Sequence, residues 1–88
     1  MNTNEEIADN LRWWLNEQRA MIEAARERIG RLQQIKQHYR AHSANPNLRQ
    51  WFDDAIEREQ KSIDELDRSV TLTMHLLSNA ENGNATNS

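Results

Sequence analysis

The segment His42-Ser43-Ala44-Asn45-Pro46 decides the fold, because it interrupts an otherwise helical pattern in this 88-residue chain. Asn45 suits a helix N-cap, and Pro46 suits the first helical position, where the missing backbone N–H of proline is not needed. The segment therefore predicts that one helix ends near His42, that a hinge covers about residues 43–45, and that a second helix begins at Pro46.

On both sides of this break, apolar residues recur every three or four positions, which is the spacing of an amphipathic helix. The stripe of helix one comprises Ile7, Leu11, Trp14, Leu15, Met21, Ile22, Ala25, Ile29, Leu32, Ile35 and Tyr39. The stripe of helix two comprises Leu48, Trp51, Phe52, Ala55, Ile56, Ile63, Leu66, Val70, Thr73, Met74 and Leu77. Thr3 and Glu6 have the spacing of a capping box, so helix one is expected over about residues 3–42.

The last part of the chain has a different composition. It is rich in Asn, nearly uncharged and without large apolar residues. Such a segment has little apolar surface with which to offset the entropy lost on ordering. We therefore expect helix two over about residues 46–79 and a disordered tail over residues 80–88.

The short connection predicts that the two helices are antiparallel neighbours, forming a helical hairpin over residues 1–79. Residues whose numbers sum to about 90 should then face each other, with Tyr39 near Trp51 and Trp14 near Met74 to Leu77. Only 36% of the residues are hydrophobic, and a lone pair of helices leaves its groove open to water. We expect an all-α, coiled-coil-like homodimer that completes a four-helix bundle; a hetero-complex is the alternative.

Composition narrows the functional classes. The chain has no Cys, which excludes disulfide and thiolate chemistry, and neither a signal-like nor a membrane-spanning apolar run, so we expect a cytoplasmic protein. The formal charge of −3 disfavours a general nucleic-acid binder. Residues 1–42 are nevertheless slightly basic, whereas residues 43–88 are acidic, so any polyanion would have to contact helix one.

Four arginines of helix one share one heptad position, and such a basic line could follow a phosphate backbone. They are Arg12, Arg19, Arg26 and Arg40. Nearby carboxylates such as Asp9 and Glu23 offset much of this charge, so a solvated, salt-bridged face is favoured over a nucleic-acid contact.

Polar residues also interrupt the apolar stripes, among them Gln18, Arg28 and Glu59. The hairpin register brings Arg28 and Glu59 to the same level, where they could pair across the helices and help to fix the register. In the alternative interpretation, both side chains extend from the edge of the stripe into solvent.

No catalytic set is apparent, because the serines have no partnered His and acid, and no Gly-rich phosphate loop is present. His38 and His42 are four residues apart, but two ligands do not make a metal site, and a helix-terminal role for His is favoured. We therefore predict no enzyme activity, no cofactor and no metal.

The open end of the hairpin is the most informative region, because apolar residues there lie off the main stripes. Trp13 stands beside Trp14 on helix one, and Leu72 and Leu76 form a second line on helix two. Trp14 continues the stripe and is predicted to be core, whereas Trp13, Leu72 and Leu76 are predicted to contact a partner. The alternative is a locally wider core.

These observations favour a small, non-catalytic protein-binding module, such as an adaptor, a chaperone-like partner or an inhibitor. The second hypothesis is a nucleic-acid-associated regulator that uses the helix-one arginines. Salt dependence would separate the two hypotheses, because phosphate binding weakens steeply with added salt.

Overall fold

A computed structural model describes residues 3–42 and 45–86, with described side chains at residues 3–39 and 45–82. These residues form two helices, α1 (Asn4–His42) and α2 (Pro46–Thr86), which pack against each other as a hairpin. The resulting rod measures 68 × 18 × 14 Å. The predicted all-α hairpin is confirmed, while Ser43 and Ala44 of the predicted hinge lie outside the described residues.

Side-chain caps fix the beginning of each helix. The Glu6 N–H donates to Thr3 Oγ1 at 3.1 Å, and the Thr3 N–H donates to Glu6 Oε2 at 3.4 Å. At α2, the Asn47 N–H donates to Asn45 Oδ1 at 3.0 Å, with Pro46 at the first helical position. Both arrangements satisfy backbone donors that a helix start leaves unpaired, and they confirm the two predicted helix starts.

The core is a narrow seam between the helices. Its centre consists of the buried residues Ile22, Ala25 and Ile63, against which Ile29, Leu66 and Val70 pack. The seam positions of α1 include Ala8, Leu11, Leu15, Gln18, Ile22, Ala25, Ile29, Leu32 and Lys36. These positions alternate in steps of three and four, which is the heptad pattern of an antiparallel coiled coil.

The seam is narrower than the predicted stripes, because each helix covers only about two positions in seven on its neighbour. Several stripe residues are therefore exposed: Ile7, Trp14, Met21, Ile35 and Tyr39 on α1, and Trp51 and Met74 on α2. The prediction that Trp14 is a core residue is wrong, since 40% of it is exposed.

Contacts between the helices follow the predicted register. Arg28 lies against Glu59, Gln18 against Thr73, and the Tyr39 ring against the Phe52 ring at 5.8 Å. At the far end, α2 continues to Thr86, past the predicted boundary near Asn79. Residues 80–86 contain no Pro and include helix-forming Ala and Glu, so α2 passes through Gly83 in spite of its low helix propensity.

Candidate interaction surfaces

Two lines of residues border the seam, one on each side. The line on one side is here named the charged flank; each of its residues comes directly after a seam residue in the sequence. It comprises Arg12, Arg19, Arg26 and Gln33 of α1, and Asp53, Gln60, Asp67, Met74 and Glu81 of α2. Within each helix these residues are spaced by seven positions, so they recur on one side of the rod.

Contacts across the charged flank show that its two lines meet. Arg12 Nη2 lies 3.2 Å from Glu81 Oε1, and Arg19 Nη2 lies 3.9 Å from Met74 Sδ. Arg12 Nη1 also binds Asp9 at 2.7 Å. Much of the charge on this flank is therefore offset within the chain, although these pairs are exposed and each stabilises the fold only slightly.

The arginines that the sequence suggests as a possible nucleic-acid contact lie in one line along the rod, as far as their side chains are described. Arg12, Arg19 and Arg26 lie on the charged flank, and the side chain of Arg40 lies outside those described. Arg26 Nη1 is 2.9 Å from Glu23 Oε1 within the same helix. Of Arg12, Arg19 and Arg26, two therefore form an ion pair with a carboxylate.

The line on the other side of the seam is here named the apolar flank. It comprises Ile7, Trp14, Met21, Arg28 and Ile35 of α1, and Leu48, Ala55, Ser62, Ser69 and Leu76 of α2. The two sets share one side of the rod because the charged-flank contacts occupy the opposite side. All five α1 members are exposed.

At the open end the apolar surface becomes wider. Trp13 is 62% exposed, Leu72 is 59% exposed and Leu76 is 45% exposed. The Trp13 and Trp14 ring centroids are 6.2 Å apart, so Trp14 connects Trp13 to the apolar flank. The three residues predicted to contact a partner are therefore accessible to solvent. Trp14, which the sequence predicted to be a core residue, is also exposed and extends the same surface.

A polar cluster is buried in the seam near the same end. Gln18 is 0% exposed, its Nε2 donates to Ser69 Oγ, and its Oε1 accepts a hydrogen bond from Thr73 Oγ1 at 2.9 Å. The Thr73 hydroxyl also lies 2.8 Å from the Ser69 carbonyl. A buried amide needs such partners, and it finds them only in one register of the two helices.

The pair of Arg28 and Glu59 lies across the hairpin on the apolar flank. Arg28 Nε and Nη2 each donate to one Glu59 carboxylate oxygen at 3.0 Å, a bidentate geometry. The hydrogen bond to Glu59 raises the pKa of the Arg28 guanidinium above its ordinary value, and the Glu59 charge acts in the same direction. The interpretation in which the two residues pair is thus confirmed.

Within residues 3–39 and 45–82, no group of three or more His, Cys, Asp or Glu side chains is arranged to hold a metal ion. An open groove of about 420 Å³ lies among Gln33, Lys36, Gln37, Asp53 and Ile56. Lys36 Nζ binds the Asp53 carboxylate there, so this charge too is offset within the hairpin. Neither helix, over its described residues, combines the length and apolar character needed to span a membrane.

No known protein family, curated protein or solved structure matches this chain. Function is therefore inferred from the surfaces of the hairpin itself.

Proposed function

We propose that the chain is a non-catalytic protein-binding module that presents a rigid helical surface to a macromolecular partner, as an adaptor, a chaperone-like protein or an inhibitor does. The observation that carries this proposal is Trp13, whose large apolar ring is 62% exposed. Trp is the residue type most enriched in binding hot spots, and exposing it is costly unless a partner covers it.

The surroundings of Trp13 support the same function. Trp14, Leu76 and Leu72 continue the apolar surface from α1 onto α2 at the open end. Trp14 and Leu76 share one level of the rod, because the Arg12–Glu81 and Arg19–Met74 contacts lie on either side of that level. One surface of a second molecule, whether a partner or another copy of the chain, can therefore cover residues from both helices at once.

The buried cluster at Gln18 supports the rigidity that such a module needs. It lies close to the open end and joins α1 to the hydroxyl groups of Ser69 and Thr73 on α2. A surface held in one register loses little conformational entropy on binding, which favours affinity. The proposed module also self-associates as a homodimer, in which two hairpins form a four-helix bundle.

The experiment is a comparison of Trp13→Ser with Trp51→Ser in an affinity capture from the native host, quantified by mass spectrometry. Trp51 is a matched control, because it is an exposed Trp at the hinge end of the rod. Partners that depend on the open end should be lost with Trp13→Ser and kept with Trp51→Ser. A lost hot-spot Trp weakens binding by roughly 2 kcal/mol, or about 30-fold.

Both variants should keep the wild-type helix content in circular dichroism, because neither Trp is buried. If the captured proteins are the same for Trp13→Ser and wild type, the open end is not the binding surface.

A nucleic-acid-associated regulator is the second candidate, favoured by the alignment of Arg12, Arg19 and Arg26 on one side of the rod. In that case nucleic acid co-purifies with the chain, and replacing the three arginines by Gln releases it whereas Trp13→Ser does not. Binding to nucleic acid also falls steeply between 50 and 200 mM salt. The internal carboxylate partners of Arg12 and Arg26 weigh against this candidate.

A further inference from the structure

The apolar flank extends along most of the hairpin, from Ile7 to Ile35 of α1. These residues and the intervening Trp14 and Met21 are each about 40% exposed. The distance from Ile7 to Ile35 is about 42 Å at 1.5 Å per residue. In most helical bundles an apolar line of this length is covered. The residues that border the contact between two helices pack there against a further helix.

The accessible area of the chain is large for its mass. A folded monomer of 10.4 kDa exposes about 5,400 Å², whereas this chain exposes 6747 Å². The excess of roughly 1,300 Å² exceeds the area of about 800 Å² that each partner buries in a stable interface. An interface of ordinary size along one long face of the rod would therefore remove part of this excess.

The charges of the apolar flank fit contact with an identical flank. Its charged member, Arg28, is neutralised by the bidentate contact with Glu59, and the other members are uncharged. An isologous interface must be complementary to itself, and two neutral apolar surfaces meet this condition without like-charge repulsion. On the charged flank, by contrast, a second copy would have to remove water from charged side chains such as Arg12 and Glu81, which already pair within the hairpin.

The two lines of the apolar flank also differ in side-chain size. The α1 line carries bulky Trp14, Met21 and Ile35, whereas the middle of the α2 line carries small residues such as Ala55 and Ser62. Bulky side chains of one hairpin can therefore fit beside small side chains of another, which is the complementarity that dense packing requires.

We infer that the apolar flank is the contact face of a homodimer, and that its occupant is the apolar flank of a second copy of this chain. This inference rests on the proposed four-helix bundle and specifies the face through which it forms. Trp13 lies about 100° around α1 from Trp14, on the side away from the seam, so it stays uncovered in the dimer. In the dimer the second copy covers Trp14 and Leu76, and Trp13 of each protomer remains exposed for the proposed partner.

The test is the molar mass in sedimentation equilibrium at low-micromolar concentrations. The variant Met21→Lys/Ile35→Lys places two charges on the apolar flank. The matched control Ala20→Lys/Gln34→Lys places the same charges on exposed positions of α1 opposite the seam. Wild type and control should have about twice the mass of 10.4 kDa, whereas the flank variant should be a monomer with a dissociation constant raised about 100-fold or more.

A monomeric wild type, or a flank variant that stays as dimeric as the control, overturns the inference. A second measurement covers the case in which the flank variant fails to fold. The chain has no Cys, so Met21→Cys and Ala20→Cys each accept a single spin label. The label at position 21 should be immobilised and shielded from a water-soluble relaxation agent, unlike the label at position 20; equal mobility and accessibility overturn the inference.

Failure of this inference is distinguishable from failure of the proposed function. Trp13→Ser should keep the dimer mass while losing the partner, and the flank variant should lose the dimer mass. If the flank variant instead stays dimeric while Trp13→Ser becomes a monomer, the copies meet through the open end and the inference is overturned. If only Trp13-dependent capture fails, the protein-binding proposal is wrong and the dimer face stands.

Discussion

The two flanks of the hairpin border the same seam but differ in what their side chains meet. On the charged flank, Arg12 reaches across the helices to Glu81, and Arg19 reaches Met74. On the apolar flank, Trp14 and Met21 face solvent. The chain therefore satisfies much of its charge internally and leaves one continuous line of exposed apolar side chains along one side, where a second molecule can cover it.

Arg28 is the exception that clarifies this comparison. It lies on the apolar flank, but its guanidinium is bound by both oxygens of Glu59. Its charge is thereby balanced where an unpaired charge would oppose the approach of another apolar surface. The two flanks thus differ in composition, but on each of them an arginine is paired with a carboxylate of the other helix.

The largest expected effect separates the seam from the apolar flank. Ile63 is buried at the centre of the core, so Ile63→Ala should lower the free energy of unfolding by about 2–4 kcal/mol at every protein concentration. Trp14→Ala should act mainly on assembly, because Trp14 is 40% exposed in the single hairpin. Urea unfolding and sedimentation over a range of concentrations measure the two effects. If Trp14→Ala destabilised the dilute, monomeric protein as much as Ile63→Ala does, Trp14 would be a core residue after all.

The next effect concerns the buried polar cluster between the flanks. Gln18→Ala should cost about 1–3 kcal/mol, because it leaves the hydroxyl groups of Ser69 and Thr73 without their amide partner. The triple variant Gln18→Leu/Ser69→Ala/Thr73→Val replaces the whole cluster by apolar groups and should recover most of this loss. The unfolding curve of the triple variant is the control. If the triple variant were less stable than Gln18→Ala, the cluster would contribute more to stability than the pairing of its own buried polar groups.

These residues also show how far the sequence alone could lead. The caps at Thr3 and Asn45, the start of α2 at Pro46 and the register that pairs Arg28 with Glu59 all follow from local chemistry and spacing. Each depends on residues close in sequence or on a hairpin that a short connection enforces. The exposure of Trp13 likewise follows from its rotation away from the stripe.

Which stripe residues are covered could not be predicted in the same way. Adjacent apolar pairs such as Trp14 and Leu15, or Met21 and Ile22, are equally compatible with helical periodicity, and only the position of the second helix decides between them. The seven-residue recurrence of Ile7, Trp14 and Met21 was the available signal for a separate line. To predict the hydrogen-bond partners of Gln18, the register of the two helices would have to be known to within one turn, and periodicity does not give it that closely.

A substitution on neither flank should separate stability from assembly. Gly30 lies in the middle of α1, and a Cβ atom added there would have no atom within 4 Å apart from its chain neighbours and the backbone of its own helix. Gly30→Ala should raise stability by about 0.5–1 kcal/mol, because Ala has the higher helix propensity. Thermal unfolding measures the gain, and the dimer dissociation constant should stay unchanged. A change in that constant would place residue 30 in an interface and weaken the contrast between the flanks.

A smaller effect compares one ion pair from each flank in double-mutant cycles. Truncating Arg28 and Glu59 to Ala, singly and together, should reveal a larger coupling than the same cycle on Arg12 and Glu81. The first pair is bidentate and Glu59 is half-buried, whereas the second pair is a single exposed contact at 3.2 Å. Both couplings should decrease with added salt. Equal couplings at low salt would show that the apolar flank gives its ion pair no special environment.

The smallest effect is expected for residues 83–88, which follow Glu81, the last residue of α2 with a described contact to α1. Deleting residues 83–88 should change the free energy of unfolding by less than about 0.5 kcal/mol, because the segment contains only small and polar residues. The cross-helix contact of Glu81 with Arg12 and the half-buried Ala80 lie before the deleted segment. Deleting residues 80–88 is the matched comparison, since it also removes that ion pair and should cost somewhat more. Thermal unfolding of the two truncations measures the difference. If loss of residues 83–88 alone destabilised the protein as much as Ile63→Ala does, the end of α2 would be a docked element, and the apolar surface of the open end would already have a partner within the chain.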